Sequence, residues 1–193
     1  MKRSFMLVLV LFTFTSVVAN KSTLKKSSKA PKGFEWVEAK EIRAALLMPI
    51  GWNFKHAAGD TGTQAYFLTL EKIKGKNGRF FTGFSVNVIK NIKYKTDLKP
   101  SEYAEQVMQK LKSQHKYRDY KTGKINKYFS YAEIQIVSKD NKGVLIKQVI
   151  RFVYNDIRDT LYICIFESPE TSWKQYIKYG DVIFNNMVLE KDY

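Results

Sequence analysis

The chain has 193 residues, of which 33 are lysine or arginine and 18 are aspartate or glutamate, so its formal net charge is +15. This balance favours acidic partners and makes their attraction salt-dependent, without naming them. The single cysteine, Cys164, excludes an internal disulfide framework, so stability must come from a hydrophobic core.

The N-terminus has the pattern of a secretory signal peptide. Lys2 and Arg3 precede an apolar run over residues 5–18, which ends at Ala19. The run is short for a membrane span of about 20 residues and contains hydroxyl side chains, which favours cleavage after Ala19 over an uncleaved anchor. We therefore expect residues 1–19 to be a signal peptide and the protein to be periplasmic or secreted, with no transmembrane span after cleavage.

Two further regions follow the signal peptide. Residues 20–32 contain five lysines, three serines and no acid, which predicts a flexible basic leader. Two positive charges lie in the signal peptide and five in the leader, which leaves +8 on residues 33–193. Residues 33–193 are enough for one domain with a sizeable core.

The segment from Thr160 to Asn186 organises the rest of the chain. Apolar side chains occupy both faces over residues 161–166, which predicts a central strand that is buried on both sides. Ser168 and Pro169 have the pattern of a helix N-cap and first helical position. The predicted helix carries one apolar stripe at intervals of three and four residues: Trp173, Tyr176, Ile177, Gly180, Phe184 and Met187.

The earlier part of the domain contains three predicted strands and one helix. One strand ends at Met48, before a turn. Residues 64–74 and 80–89 flank Asn77-Gly78, which predicts two strands joined by a tight hairpin. Pro100 then opens an amphipathic helix.

A polar loop is predicted over residues 115–127, before an antiparallel meander of strands at 128–137, 144–154 and 160–166. Helices that bury an apolar stripe need a sheet face to cover. The sequence therefore predicts an α+β fold, an α/β/α sandwich with a central antiparallel sheet of about six strands and helices packed on its faces.

Short motifs along residues 34–189 resemble the PsbP-like family. They are Pro49-Ile50-Gly51-Trp52 after a strand, Pro100-Ser101-Glu102-Tyr103 at a helix start, and Leu161-Tyr162-Ile163-Cys164 followed by Trp173. The resemblance implies the same α/β/α sandwich and a protein that binds macromolecules without catalysis. It implies no particular partner, and the missing lipid-attachment cysteine departs from the DcrB-type lipoproteins of that family.

The sequence contains no recognisable catalytic or metal-binding set. His56 and His115 are the only histidines and lack ligand spacing with other residues. No nucleophile-elbow pattern is present, and Glu167 and Glu170 flank a proline where capping explains them. Cys164 is interpreted as a small buried hydrophobe. We therefore expect a non-enzymatic protein with no cofactor.

Basic residues supply the candidate binding sites. One cluster surrounds the predicted hairpin, at Lys72, Lys74, Lys76 and Arg79, and a second contains Lys90, Lys93 and Lys95. Residues 90–95, around the second cluster, and a third basic stretch, residues 116–121, interleave basic residues with tyrosines as single-stranded nucleic acid sites do. Solvated lysines and snorkelling tyrosines are the alternative, and export argues against nucleic acid.

The function predicted from these patterns is that of an exported accessory protein of the cell envelope. Its partner would be an acidic envelope protein or an anionic membrane surface. The alternative is a small-molecule or lipid carrier with a pocket between sheet and helix, lined by residues such as Trp52 and Trp173.

Overall fold

The computed structural model describes residues 29–58, 63–75, 78–140 and 142–190. The predicted signal peptide, most of the leader, Lys76 and Asn77 lie outside the described residues. Ten strands are described: β1 (Phe34–Ala39), β2 (Ala44–Pro49), β3 (Asn53–Ala58), β4 (Gln64–Thr69), β5 (Gly83–Lys90), β6 (Lys116–Lys124), β7 (Ser130–Lys139), β8 (Leu145–Asn155), β9 (Thr160–Pro169) and β10 (Val188–Leu189). The helices are α1 (Ile92–Thr96), α2 (Pro100–Gln114) and α3 (Trp173–Asn186), and short 3₁₀ turns cover Lys40–Ile42 and Glu170–Ser172.

The strands form two antiparallel sheets. The larger has seven strands in the order β3-β4-β5-β9-β8-β7-β6, and the smaller has the order β1-β2-β10. The smaller sheet and α3 cover one face of the larger sheet, and α2 covers part of the other. The predicted α+β sandwich is therefore confirmed, with seven strands in its main sheet where about six were expected.

The central position predicted for the segment after Thr160 is confirmed. β9 pairs with β5 on one side and β8 on the other. Tyr162, Cys164 and Phe166 are buried in the core on the α3 side, while Leu161 is buried on the α2 side. Alternating residues thus serve two hydrophobic cores, which explains why both faces of this strand are apolar.

The apolar stripe of α3 packs on the sheet as predicted. Trp173, Gly180 and Phe184 are buried there. A Cβ atom on Gly180 would come within 2.6 Å of the Phe166 ring. Glycine is therefore needed where the helix approaches β9 most closely.

The predicted start of this helix at Ser168 is wrong. β9 continues through Pro169, because Ser168 pairs with Lys147 in the ladder. The Ser168 hydroxyl is buried and lies 2.9 Å from the Ser172 hydroxyl. A 3₁₀ turn follows, and α3 begins only at Trp173. An N-cap signature alone does not distinguish these two arrangements, because ladder pairing is a tertiary effect.

The polar loop predicted over residues 115–127 is also wrong, since most of it forms β6. This strand lies at the edge of the large sheet and pairs only with β7. Its residues are mostly exposed, so the apolar alternation that identifies a strand is absent. The ladder shifts between Arg118 and Lys121, and Asp119 has a φ of +53° at this bulge.

The predicted strands β4 and β5 do pair, and their ladder ends at Thr69 and Gly83, short of the predicted strand ends at 74 and 80. The predicted tight turn includes Asn77, which lies outside the described residues. We call the described residues between these two strands the β4–β5 loop. The Glu71 carboxylate accepts hydrogen bonds from the backbone N–H groups of Phe81 and Thr82, at 3.2 and 3.1 Å. These bonds close the base of the loop. Strands β1, β3 and β10 were not predicted.

Candidate functional site: a basic groove at one end of the sheet

The antiparallel register places chain segments from distant parts of the sequence at the same end of the large sheet. Thr69 pairs with Gly83, and Lys139 pairs with Leu145. β6 also begins at this end, because Lys116 pairs with Val137. The β4–β5 loop and the β7–β8 turn therefore project from one end, which we call the basic end for the cations described below. The opposite end, where Lys90 pairs with Thr160, is called the far end.

A groove of about 500 Å³ lies at the basic end, on the sheet face that α3 covers elsewhere. Cross-strand register brings Lys116, Val137 and Lys147 into one row. The next row contains Arg118 and Gln135. We call this surface the basic groove and define it by five residues: His115, Lys116, Arg118, Lys139 and Lys147. Strand pairing thus gathers cations that are up to 31 positions apart in the sequence.

Carboxylates neutralise little of the charge in this groove. Glu170 is the one acid among the described lining residues, and its carboxylate lies 3.0 Å from Lys147 Nζ. Lys116, Arg118 and Lys139 are exposed and form no ion pair within the described part of the chain. The groove can therefore attract an anionic group by Coulomb forces, and its rim of Val137 and Leu145 offers apolar contact.

Farther along the same sheet face, α3 covers the ion pair of Arg151 and Glu133, and the exposed Lys121 lies beside it. Arg151 Nε lies 2.6 Å from Glu133 Oε2, and Lys121 Nζ lies 2.8 Å from Glu133 Oε1. Arg151 also donates to the carbonyl of Phe184 in the last turn of α3, at 3.0 Å. Its guanidinium stacks over the rings of Tyr131 and Phe184. This cation is internally satisfied and serves to hold the helix on the sheet.

The predicted cationic residues divide between the two ends of the sheet. Lys72, Lys74 and Arg79 are exposed in the β4–β5 loop, at the basic end. β9 alone separates β5 from β8, so this loop lies two strand spacings, about 10 Å, from the strand that carries Lys147. The predicted loop cluster and the basic groove therefore belong to one end of the molecule.

Lys90, Lys93 and Lys95 lie at the far end, roughly 24 Å along β5 from Gly83. Partial burial, followed by the nearby charge of Arg43, lowers the pKa of Lys90. The Asp159 carboxylate accepts the backbone N–H of Lys93, at 3.0 Å. The structure therefore separates this group from the loop cluster and places an acidic side chain beside it.

The two histidines lie in different surroundings. His56 stacks on Tyr66 and lies 2.7 Å from the Gln64 side-chain oxygen, whereas His115 borders the basic groove. Within the described ranges, no three histidine, cysteine or acidic side chains form a group that could hold a metal ion. Burial raises the pKa of the Cys164 thiol to about 12, so the thiol is held in its protonated, unreactive form.

A second concavity, of about 400 Å³, lies where the smaller sheet meets α3. Phe34, Trp52 and Tyr179 line it, and Lys32 and Lys178 are at its edge. We call it the aromatic cleft. Trp173 is not part of it, because that side chain is buried against Phe166, with ring centroids 5.8 Å apart.

Sequence reasoning missed Lys139 and Lys147 as site residues. They flank the predicted turn at 140–143, and the stretch around Arg118 was considered only for nucleic acid. Pairing the two strands across that turn would have placed both lysines on one face. β6, the third strand of the groove, is not recognisable from the sequence, because its residues are mostly exposed and show no apolar alternation.

None of the helices in the described segments is long and apolar enough to cross a membrane. No protein-family model and no curated protein matches the chain.

Several solved structures are similar to it. The solution structure of cyanobacterial PsbP (CyanoP) from Synechocystis is 11% identical, with a TM-score of 0.49, over 88% of this chain and 98% of that one. The Ran-binding protein Mog1p of Saccharomyces cerevisiae is 10% identical, with a TM-score of 0.49, over 81% and 95%. LpqN of Mycobacterium tuberculosis, described as involved in cell envelope biogenesis, is 10% identical, with a TM-score of 0.44, over 75% and 82%.

PsbP and Mog1 structures are thus among those similar to this chain, at 11% and 10% identity. Their partners and functions are properties of those proteins, and no residue role is transferred from them to this chain.

Proposed function

We propose that this protein is an exported, non-enzymatic accessory protein of the cell envelope that docks on an acidic surface through its basic end. The observation that carries the proposal is the basic groove. Four lysine and arginine side chains surround one concavity that a single carboxylate lines. The loop cluster of Lys72, Lys74 and Arg79 adds three further cations at the same end.

The charge at this end is not needed to stabilise the fold. Cations with a structural role are ion-paired in this molecule: Arg151 and Lys121 lie 2.6 and 2.8 Å from the Glu133 carboxylate. In contrast, Lys116, Arg118 and Lys139 remain solvated. Clustered like charges repel one another, so their concentration at one end is more readily explained by recognition than by stability.

Export completes the proposal. The apolar N-terminal run after Lys2 and Arg3 directs the protein out of the cytoplasm.

The test compares charge reversals at the two ends. Lys139→Glu/Lys147→Glu alters the basic groove, and Lys93→Glu/Lys95→Glu changes the net charge equally at the far end. Immobilised proteins are challenged with envelope extract at low and high salt, after thermal denaturation has shown that each variant is folded. Because screening weakens charge-assisted docking, we expect salt-sensitive retention that only the groove variant loses.

Two outcomes would contradict the proposal. Equal loss by both variants would mean that net charge alone governs retention. The absence of any retained component at low salt would remove the docking function altogether.

The aromatic cleft favours the carrier alternative as a second candidate. Its volume of about 400 Å³ falls in the range of small-molecule sites, and Lys32 and Lys178 suit an anionic ligand with an apolar body. Native mass spectrometry of protein purified from its host would show a bound small molecule that Trp52→Ala loses. A ligand-free spectrum would remove this candidate.

A further inference from the structure

Resting on the proposed docking function, we propose that the acidic surface is an anionic lipid bilayer, and that loops at the basic end enter its headgroup layer. The evidence is the arrangement of apolar and cationic side chains in separate loops.

Exposed apolar side chains occupy the loops of the basic end. Leu70 and Phe81 lie in the β4–β5 loop, where they are 36% and 43% exposed. Val144 and Leu145 lie at the β7–β8 turn and are 40% and 38% exposed. Ile50, in the turn between β2 and β3, is 67% exposed. The start of β3 is tied to the same end, because Asn53 Nδ2 donates to the Leu70 carbonyl at 3.1 Å.

Cations lie beside these apolar side chains in the sequence of each larger loop. The β4–β5 loop presents Lys72, Lys74 and Arg79 between Leu70 and Phe81. The β7–β8 turn presents Lys139 and Lys142 just before Val144. Apolar side chains that enter a headgroup layer, flanked by lysines that contact lipid phosphates, are the features that hold peripheral proteins on anionic membranes.

The acids of these loops bind the loop backbone. The Glu71 carboxylate accepts backbone N–H groups at the base of the β4–β5 loop. Asp140 Oδ1 accepts the backbone N–H groups of Lys142 and Val144, both at 2.8 Å. These carboxylates order their loops, and the lysines project outward.

The apolar side chains spread among the cations of this surface favour a bilayer over a folded acidic protein. The apolar loops extend from β3 to β7, which is five strand spacings, or roughly 24 Å. A bilayer offers negative charge and a shallow apolar layer across that whole width. The basic groove, between Lys116 and Lys147, then accommodates a lipid phosphate, with Leu145 toward the acyl region.

The far end provides a matched control. Tyr94 and Ile157 are 90% and 85% exposed, so they are even more accessible than the loop residues of the basic end. Lys93 and Lys95 flank Tyr94, and Asp156 and Asp159 lie in the turn that carries Ile157. If exposed apolar and cationic side chains were sufficient for binding, this end would bind equally well.

The experiment uses a chain beginning at Asn20, which keeps every residue that the structure describes. Co-sedimentation is measured with phosphatidylcholine vesicles that contain or lack phosphatidylglycerol. We expect binding only to the anionic vesicles. Phe81→Ser/Leu145→Ser should weaken it by about tenfold or more, whereas Tyr94→Ser/Ile157→Ser should leave it unchanged.

Fluorescence separates insertion from simple surface adsorption. Tryptophan emission of Phe81→Trp should shift to shorter wavelength on anionic vesicles and be quenched by brominated acyl chains, and Ile157→Trp should show neither change. Sedimentation without quenching at position 81, or equal loss by both serine pairs, would overturn the insertion.

Failure of the inference is distinguishable from failure of the proposed function. If anionic vesicles are not bound but Lys139→Glu/Lys147→Glu still abolishes retention of envelope components, docking stands and its partner is an acidic protein. If both assays fail, the docking function itself is wrong.

Discussion

Two sets of cations on one face of the same strands have opposite environments. Lys147 and Arg151 lie four residues apart on β8 and point to the same side of the sheet. Arg151 is buried, bonded to Glu133 and to the last turn of α3. Lys147 lines an open groove, where its partner Glu170 is exposed. The difference teaches that helix coverage, not strand position, decides which cations are structural and which are available.

The boundary between the two sets is the first residue of α3. Trp173 packs on Phe166 beside the last covered row, and the 3₁₀ turn at Glu170–Ser172 lies over the edge of the groove. Because β9 extends through Pro169, the helix starts later than its sequence signature predicts. That delay leaves the row of Lys116 and Lys147 uncovered.

Of the variants that test this difference, Trp173→Ala is expected to have the largest effect on stability. Removing this buried ring leaves a cavity at the start of α3, which should lower the free energy of unfolding by about 3–5 kcal/mol. Urea denaturation of the variant and of a Trp173→Phe control measures the loss, which should be smaller in the control. Parent-like stability would mean that the helix is not anchored there.

Arg151→Met should cost about 3 kcal/mol, near the lower end for a broken buried ion pair because Lys121 still neutralises Glu133. The variant also loses the hydrogen bond to the Phe184 carbonyl. The Glu133→Gln/Arg151→Met double variant should recover much of the stability, since no buried charge remains. Equal stability of the single and double variants in denaturant would contradict the structural role assigned to this pair.

The sequence predicts the covered part of the molecule better than the open part. The double-sided apolar pattern of β9 and the stripe of α3 reflect burial, so periodicity reveals both. The turns were also predictable from local chemistry, since Asp140 and Asn155 accept backbone N–H groups two residues ahead. Local and buried features are recorded directly in residue type.

Edge strands and strand register cannot be predicted from residue type in the same manner. β6 carries charged residues because one side of the strand faces solvent, and it therefore has the composition of a loop. The basic groove depends on the pairing of Lys116 with Val137 and of Val137 with Lys147, which no single segment specifies. The loop cluster could be found from local sequence, but its proximity to the groove could not.

Glu167→Gln should stabilise the protein slightly at neutral pH. This carboxyl lies near the basic end of β9, on the sheet face opposite α3. Burial raises its pKa most, and the charge of Glu71 raises it further, whereas a hydrogen bond from Gln148 lowers it. Because the folded-state pKa is raised, the ionised carboxyl destabilises the fold, and stability falls as pH rises through that pKa. The advantage of the variant should disappear below the ordinary value near 4.5. Thermal denaturation across this range checks the sign.

Lys139→Ser/Lys147→Ser should change the free energy of unfolding least, within about 0.5 kcal/mol, because exposed or partly exposed cations add little to stability. The same variant should lose salt-sensitive docking. These two lysines would then serve binding and not stability, whereas Arg151 serves stability. Stability is read from urea denaturation and docking from retention on the same preparation. A large loss of stability would place Lys139 and Lys147 with the structural cations under α3, and the distinction between the covered and open rows would then fail.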